Sequence, residues 1–342
     1  MKPIPGAPRA GGAHLLSLAD LDAGSREAVL ERAADLKSGG GFAGPGRQPL
    51  AGRSVALIFD KPSLRTRVSF EVGIAKLGGI TTTLTGGEVG LGTREPVEDI
   101  GRTLSGYVDA VVVRMLDHEG LAALAGASSV PVINALTSWE HPCQALADLL
   151  TLRERLGSLA GRQLVYVGDG NNVCHSLLLG GAALGLSVRV ASPAGHEPLA
   201  QVLDHATALA RESGARIEVM HDPQAAIEGA DAVYTDVWAS MGSEHEAADR
   251  RRAFAGFRVT EKLLEPSPRA LVMHCLPARR GEEIDARLID GPHSVAFDQA
   301  ENRLYVQQAV LLHLLEATRA GLRSLPFAGQ LELALERAAA AR

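Results

Sequence analysis

Residues 54–77 read SVALIFDKPSLRTRVSFEVGIAKL. Ser54 to Phe59 is an unbroken β-rich apolar run, as expected of a strand covered on both faces. A polar loop, Asp60 to Thr66, follows it. Arg67 to Leu77 then carries a helical pattern, closed by Gly78-Gly79. Strand, loop and helix in that order form the repeating unit of an α/β fold with parallel strands. Upstream, a helix is expected from Leu18, with Leu21, Val29, Leu30, Ala33 and Leu36 as its apolar face and Gly39 to Gly41 as its stop. Residues 1–13 are rich in Pro, Gly and Ala and are expected to form a flexible tail.

Downstream the alternation continues. Ala110 to Arg114 and Val130 to Asn134 read as further buried strands, and His141 to Leu156 as a strong helix. After Gly157 the pattern restarts with LVYVGDG and a helix from Val173 to Leu184. SVRVASP, IEVMHD, AIEGADAVYTDVW and ALVMHCLP follow as strand-bearing segments, with a helix through Ala210 among them. Val306 to Leu315 is an apolar helix, followed by an Ala-rich end. The fold class is therefore α/β, with two domains, each a parallel β-sheet flanked by helices, linked by long helices. The boundary is expected in or near the 141–156 helix. The 342-residue length agrees, at about 150 residues per domain.

The formal net charge of −6 offers no general reason to bind nucleic acid or an anionic membrane. Only five of the 34 basic residues are lysines (Lys2, Lys37, Lys61, Lys76 and Lys262), so lysine-dependent chemistry has few candidates. Cys143, Cys174 and Cys275 are too few and too far apart for a disulfide framework or a paired-cysteine zinc site, which points to a reducing cytoplasm. The first residues lack the apolar core of a secretory signal, and no window reaches the roughly 18 apolar residues of a membrane span.

Four polar clusters fall at expected strand ends, where open α/β sheets bind ligands. In the first, Ser63, Arg65 and Thr66 precede a helix whose initial N–H groups point outward, which suits a phosphate; a capped helix with surface arginines suits it too. There is no GxxxxGK[ST] loop. In the second, Arg114, His141 and Gln144 have the chemistry to polarise a carbonyl oxygen, or to serve structure alone. The third is Gly168-Asp169-Gly170-Asn171-Asn172-Val173. It resembles a dinucleotide fingerprint, but Val173 stands at its third glycine and no acid follows the next strand, which argues against NAD. The fourth joins Asp236, Trp238, Ser240, Met241 and Gly242 with His274-Cys275-Leu276-Pro277 and the segment from Asp298 to Arg303. Asp236 suits an ammonium group. His274 and Cys275 are strand neighbours and point to opposite faces, so they are not read as a nucleophile pair, and no ligand spacing supports zinc.

Taken together and in order, SLRTRVSFE, Arg114, VPVINALTSWEHPCQALADLLTL, YVGDGNNVCHSLL, DVWASMG, MHCLPARRGEE and FDQAENRLYVQQAVL resemble the carbamoyltransferase superfamily, its ornithine branch most closely, over about Leu15 to Leu315. The resemblance implies transfer of a carbamoyl group from carbamoyl phosphate to the δ-amine of L-ornithine, giving L-citrulline and phosphate, in arginine metabolism and by default in biosynthesis. It implies no metal and no cofactor. It divides the chain into a tail (1–13), a carbamoyl-phosphate-binding domain (14–148) on which a helix of about 305–335 packs back, and an ornithine-binding domain (149–304).

By the same resemblance Ser63, Leu64, Arg65, Thr66 and Arg67 hold the phosphate. Arg114, His141 and Gln144, with Thr66, polarise the carbonyl, and Arg303 reaches the same anion. Asn172, Asp236, Ser240 and Met241 contact ornithine, while Cys275 and Leu276 lie near the reacting amine. Arg65, Arg114, His141 and Cys275 are the expected catalytic set. A homotrimer, or a multiple of trimers, is implied, with no nucleic-acid or membrane partner. Two departures from the family pattern stand out. Leu64 replaces a hydroxyl residue in the phosphate loop. Glu88 aligns with a glutamine that the family donates to carbamoyl phosphate across the trimer interface, where a carboxylate repels a dianion unless an arginine such as Arg94 pairs with it. Other acceptors (putrescine, acylornithine), an NAD-dependent dehydrogenase and a non-catalytic paralogue are the alternatives.

Overall fold

The computed structural model describes residues 13–40, 48–239 and 246–324. Ser240 and Met241, most of the expected tail and the end of the expected 305–335 helix lie outside the described residues. The chain falls into two compact units, Met1–Cys143 with Arg303–Arg342, and Gln144–Asn302.

The first unit begins with α1 (Ala23–Lys37), then β1 (Ser54–Phe59), α2 (Leu64–Lys76), β2 (Ile80–Thr85), α3 (Gly86–Val89) and α4 (Val97–Ser105). It continues with β3 (Ala110–Arg114), α5 (His118–Ala127) and β4 (Val132–Leu136), and the chain leaves it within α6 (Pro142–Leu156). The sheet is all parallel in the order β2-β1-β3-β4. Residues 55–58 of β1 and 110–113 of β3 are essentially inaccessible, which is why their sequences show no alternation. Each buried Val, Leu or Ile among them contributes about 1.5–3 kcal/mol relative to exposure.

The second unit contains β5 (Gln163–Val167), α7 (Asn172–Ala183), β6 (Ser187–Ala191), α8 (Ala200–Ser213), β7 (Ile217–Met220) and α9 (Pro223–Ala226). β8 (Ala232–Thr235), α10 (Ala247–Ala253), β9 (Leu271–His274) and α11 (Ala286–Ile289) follow, and α12 (Ala296–Ser324) carries the chain back into the first unit. Its sheet is parallel in the order β7-β6-β5-β8-β9.

Both strand orders reverse direction once, between β1 and β3 and between β5 and β8. At such a switch point the two outgoing loops diverge and leave a crevice at the carboxyl ends of the strands. The segments that follow these four strands are Asp60 to Thr66, Met115 onward, Gly168 to Asn172, and Asp236 onward. The topology therefore places the polar clusters of the sequence at the ligand-binding edge of each sheet.

Three local expectations are corrected. α2 starts at Leu64, with Ser63 as its N-cap, not at Arg67. Leu64, Arg65 and Thr66 thus form the first helical turn, whose N–H groups have no carbonyl partner one turn earlier. α1 starts at Ala23, because Ser17 and Asp20 close a capping box on a single 3-10 turn and Asp22 caps the helix proper. β2 was absent from the expected strands. Its sequence ITTTLT is polar because it forms an exposed sheet edge, and only its pairing with β1 reveals it.

Candidate active site

In the first unit, four buried polar side chains converge at the β1/β3 switch: Thr66, Arg114, His141 and Arg303. Thr66 comes from the first turn of α2, Arg114 ends β3, His141 directly precedes α6, and Arg303 projects from α12. Arg303 Nη2 donates to Thr66 Oγ1 at 3.0 Å, and Arg303 is only 2% exposed. Burial, then the positive charges of Arg303, Arg114 and Arg65, hold the His141 imidazole well below the usual histidine range. The charges of three guanidinium groups thus act on one neutral ring. An N–H of a neutral imidazole can polarise a carbonyl oxygen, while the arginines, with fixed donor forks, suit a phosphate dianion. The N-terminus of α2 adds backbone donors and the positive end of its dipole.

The structure does not bring every expected phosphate ligand to this cluster. Arg67 is exposed and pairs with Glu71 one turn later at 3.0 Å, and Glu71 also accepts from Thr83 Oγ1 at 2.6 Å. Leu64 is 75% exposed and turned to solvent. The Ser63 hydroxyl makes no capping bond, although Ser63 occupies the N-cap. The Glu88 carboxylate closes a capping box on α3, accepting from Thr85 N at 2.7 Å and Thr85 Oγ1 at 2.8 Å. Those hydrogen bonds hold its carboxyl below the usual range, so within one chain Glu88 is an anionic cap of α3. Arg94 lies beside Glu95 and does not neutralise Glu88.

In the second unit, Asp236 follows β8 and is almost fully buried. Its Oδ1 accepts from Val237 N at 2.7 Å and from Cys275 Sγ at 3.0 Å, and its Oδ2 accepts from Asn171 Nδ2 at 2.8 Å. Asn171 is held in turn. Its Oδ1 caps α7 through Val173 N and Cys174 N, and Tyr166 Oη donates to the same oxygen at 3.2 Å. The residue bonded to Asp236 is therefore Asn171; Asn172, the expected ornithine contact, is the first residue of α7. The turn needs its glycines. Gly168 has φ +143°, and a Cβ on Gly170 would stand 2.2 Å from Pro198 N.

The sequence Asp236, His274 and Cys275 brings three potential metal-binding atoms within 4.8 Å of one another. Hydrogen bonding excludes His274 from such a role. Its Nδ1 accepts from Leu276 N at 2.8 Å, and its Nε2 faces Glu283 Oε1 at 3.0 Å, so no lone pair is left for a cation. His274 and Glu283 are both inaccessible, and Glu283 also accepts from Arg279 N at 2.6 Å. This pair shapes the turn in which Cys275 and Leu276 sit, and Leu276 adopts the left-handed φ of +56° there.

Gln144 belongs to the second unit. Its Nε2 donates to Asp148 Oδ1 at 2.8 Å. The carboxylate therefore turns the amide nitrogen toward itself and the acceptor oxygen the other way. Oriented so, Gln144 can present its Oε1 to an N–H group, while its second amide hydrogen remains a donor. Asn171 and Gln299 stood in the third and fourth clusters of the sequence without an assigned partner, and Asp148 and Glu283 were not singled out there. None stands in a short motif with its partner, and the nearest signal was the polarity of otherwise apolar α6 and α12.

A parallel sheet carrying a buried cation cluster, with a second parallel sheet carrying a caged carboxylate at its own switch point, defines a two-domain α/β enzyme for an anionic and an amine-bearing substrate. Comparison with known proteins specifies it. Residues 13–154 match the carbamoyl-P binding domain of aspartate/ornithine carbamoyltransferase, and residues 160–314 match the Asp/Orn binding domain of the same family. The chain belongs to the aspartate/ornithine carbamoyltransferase family. It is 52% identical to the ornithine carbamoyltransferase of Parafrankia sp. (strain EAN1pec), over 91% of this chain and 98% of that one. It is 53% identical to that of Acidothermus cellulolyticus, over 92% and 99% respectively. Its fold is similar to the solved ornithine carbamoyltransferase of Pyrococcus furiosus, with a TM-score of 0.86 and 47% identity over 91% of this chain and 99% of that chain.

Proposed function

We propose that this protein is an ornithine carbamoyltransferase, converting carbamoyl phosphate and L-ornithine to L-citrulline and phosphate. The observation that carries this reading is the neutral His141 ringed by the charges of Arg303, Arg114 and Arg65 at the N-terminus of α2. A phosphate dianion needs the arginines; an acyl carbonyl needs an uncharged but polarising donor.

In this reading Ser63, Arg65, Thr66 and Arg303 bind the phosphate, with the first-turn N–H groups of α2. Arg114 and His141 hold the carbonyl oxygen and stabilise the oxyanion of the tetrahedral intermediate. Gln144 Oε1 accepts from the carbamoyl NH2 group. Asp236 takes the α-ammonium of ornithine, Asn172, Ser240 and Met241 complete the amino-acid site, and Cys275 and Leu276 lie by the δ-amine. The neutral δ-amine attacks the carbonyl carbon. A C–N bond forms, the C–O bond to phosphate breaks, the amine gives up a proton and phosphate departs. Orientation of the two substrates supplies on the order of 7–11 kcal/mol of the barrier reduction. No protein nucleophile is needed, which agrees with Cys275 acting as a thiol donor to Asp236.

The assembly is proposed to be a homotrimer or a multiple of trimers. Leu64, Val68 and Val72, one helical turn apart on α2, are 75%, 46% and 42% exposed, and Ile80 is 66% exposed. An apolar stripe of this kind favours cover by another subunit. The three free thiols suit a reducing cytoplasm, and arginine biosynthesis is the proposed direction. A citrulline assay with ornithine, putrescine, acetylornithine and aspartate as alternative acceptors tests the function. Ornithine is expected to be favoured by at least about 100-fold in kcat/KM, the scale of one lost charge-assisted contact; equal use of putrescine overturns the acceptor assignment.

A further inference from the structure

Asp148 is fully buried in α6 and accepts from three side chains of the second unit. Gln144 Nε2 and Gln299 Nε2 both donate to its Oδ1 at 2.8 Å, and Tyr234 Oη donates to its Oδ2 at 3.0 Å. The two glutamines are therefore turned the same way, nitrogen toward Asp148 and oxygen away. For Gln299 the consequence is visible. Its Oε1 accepts from His274 N at 3.0 Å, at the end of β9, one residue before Cys275. For Gln144 it fixes the sense in which the buried amide is held.

We propose that Asp148 is a positioning residue that sets two parts of the reaction at once: the Gln144 amide that recognises the carbamoyl NH2 group, and the end of β9 that presents Cys275 and Leu276. The inference rests on the proposed role of Gln144. An amide can be built in either sense, and a buried acceptor-only carboxylate removes the ambiguity. Reversed, Gln144 would aim a donor at the substrate NH2. Asp148 thereby confers selectivity for a carbamoyl group over an acetyl group, which has a methyl in place of NH2.

The test compares the full-length enzyme with Asp148→Leu, Tyr234→Phe, Gln299→Met and Gln144→Leu. The readout is the KM for carbamoyl phosphate against the Ki of acetyl phosphate as a competitor, with the KM for ornithine measured alongside. Asp148→Leu removes the oxygen on which both glutamine nitrogens converge, so neither amide is held in one sense. Its preference for carbamoyl over acetyl phosphate is expected to fall by about tenfold, the scale of one hydrogen bond. Tyr234→Phe keeps both glutamines as they are, so it should lower stability and leave the preference unchanged. Gln299→Met is expected to raise the ornithine KM about tenfold with the preference intact. Lower activity in Asp148→Leu with an unchanged preference overturns the inference, since a purely structural role predicts that. If Asp148→Leu does not fold, Gln299→Met decides: an ornithine KM within twofold of wild type overturns it. An unchanged preference in Gln144→Leu overturns the reading of Gln144 itself, and the inference with it, which distinguishes the two failures.

Discussion

Arg303 donates to Thr66 at 3.0 Å across 237 residues of sequence. The hydrogen bond joins α12 to the first turn of α2, so the end of the chain completes a site begun near its start. Arg303→Lys keeps the charge but loses the planar fork. We expect the KM for carbamoyl phosphate to rise at least about tenfold, with a smaller change in the ornithine KM. Steady-state kinetics checks this, and equal effects on both substrates would count against Arg303 as a phosphate ligand.

His141 is held neutral by burial and by three arginines. Its titration therefore lies below the working range, and the acid limb of kcat/KM belongs to the substrate amine. Activity should rise from pH 6 into the mildly alkaline range while the imidazole stays neutral. NMR of the labelled ring tests this: a His141 midpoint at or above pH 6.5 sinks it. Because this lowered pKa belongs to a base, its contribution to stability is present above the unfolded value of 6.5 and is lost as pH falls below it.

Asp236 is bracketed by the Asn171 amide and the Cys275 thiol. Cys275→Ala removes one donor and leaves the carboxylate less firmly placed. An increase of about three- to tenfold in the ornithine KM is expected, since a single hydrogen bond contributes roughly 0.5–1.5 kcal/mol. Asp236→Asn deletes the charge itself and should cost more, at about 100-fold. If Cys275→Ala instead abolishes turnover outright, the thiol does more than orient.

Gly170→Ala places a Cβ 2.2 Å from Pro198 N, a backbone atom that cannot swing aside. Destabilisation of about 1–3 kcal/mol is expected, as for overpacking in a fixed environment. Thermal unfolding measures it, and a melting temperature equal to wild type refutes the close approach.

The segment before α1 carries two opposed titrations. Burial lowers His14 to about 4, where its Nδ1 accepts from Val132 N at 3.0 Å. Burial raises Asp20 to about 6, despite the hydrogen bonds from Ser17 and Leu16. The His14 contribution to stability is present above pH 6.5 and is lost as pH falls toward 4; the Asp20 contribution is present below pH 3.8 and is lost as pH rises through 6. They nearly cancel in the wild type. Asp20→Asn leaves His14 uncompensated, so between pH 6.5 and 4 it should lose on the order of 3 kcal/mol relative to wild type. Denaturant unfolding across that range gives the answer; parallel curves refute it.

Buried strands were legible because burial on both faces leaves a run of apolar residues that needs no partner to be recognised. β1 and β3 were read to the residue, as Ser54–Phe59 and Ala110–Arg114. β2 was not, since threonines on an exposed edge look like a loop until a neighbour pairs with them. The helix that starts at Leu64 was placed three residues late, because Asp60 to Thr66 is polar and carries a proline, and polarity does not mark where helical hydrogen bonding begins.

By itself the sequence determined the α/β alternation, the two blocks, and the residue types that a phosphate, a carbonyl and an ammonium group require. These are local: a strand end and the residue after it are adjacent in the chain. Only the tertiary structure decided which of those residues act together. It separated Arg67, tied to Glu71, from Arg65, whose charge reaches His141. It gave Glu88 to a helix cap, put Asn171 on Asp236, and revealed Asp148 between two glutamines 155 positions apart at Gln144 and Gln299. The reason is physical. The direction of a hydrogen bond and the pKa of a buried ring depend on which groups share a low-dielectric space, and that space exists only once the chain is folded.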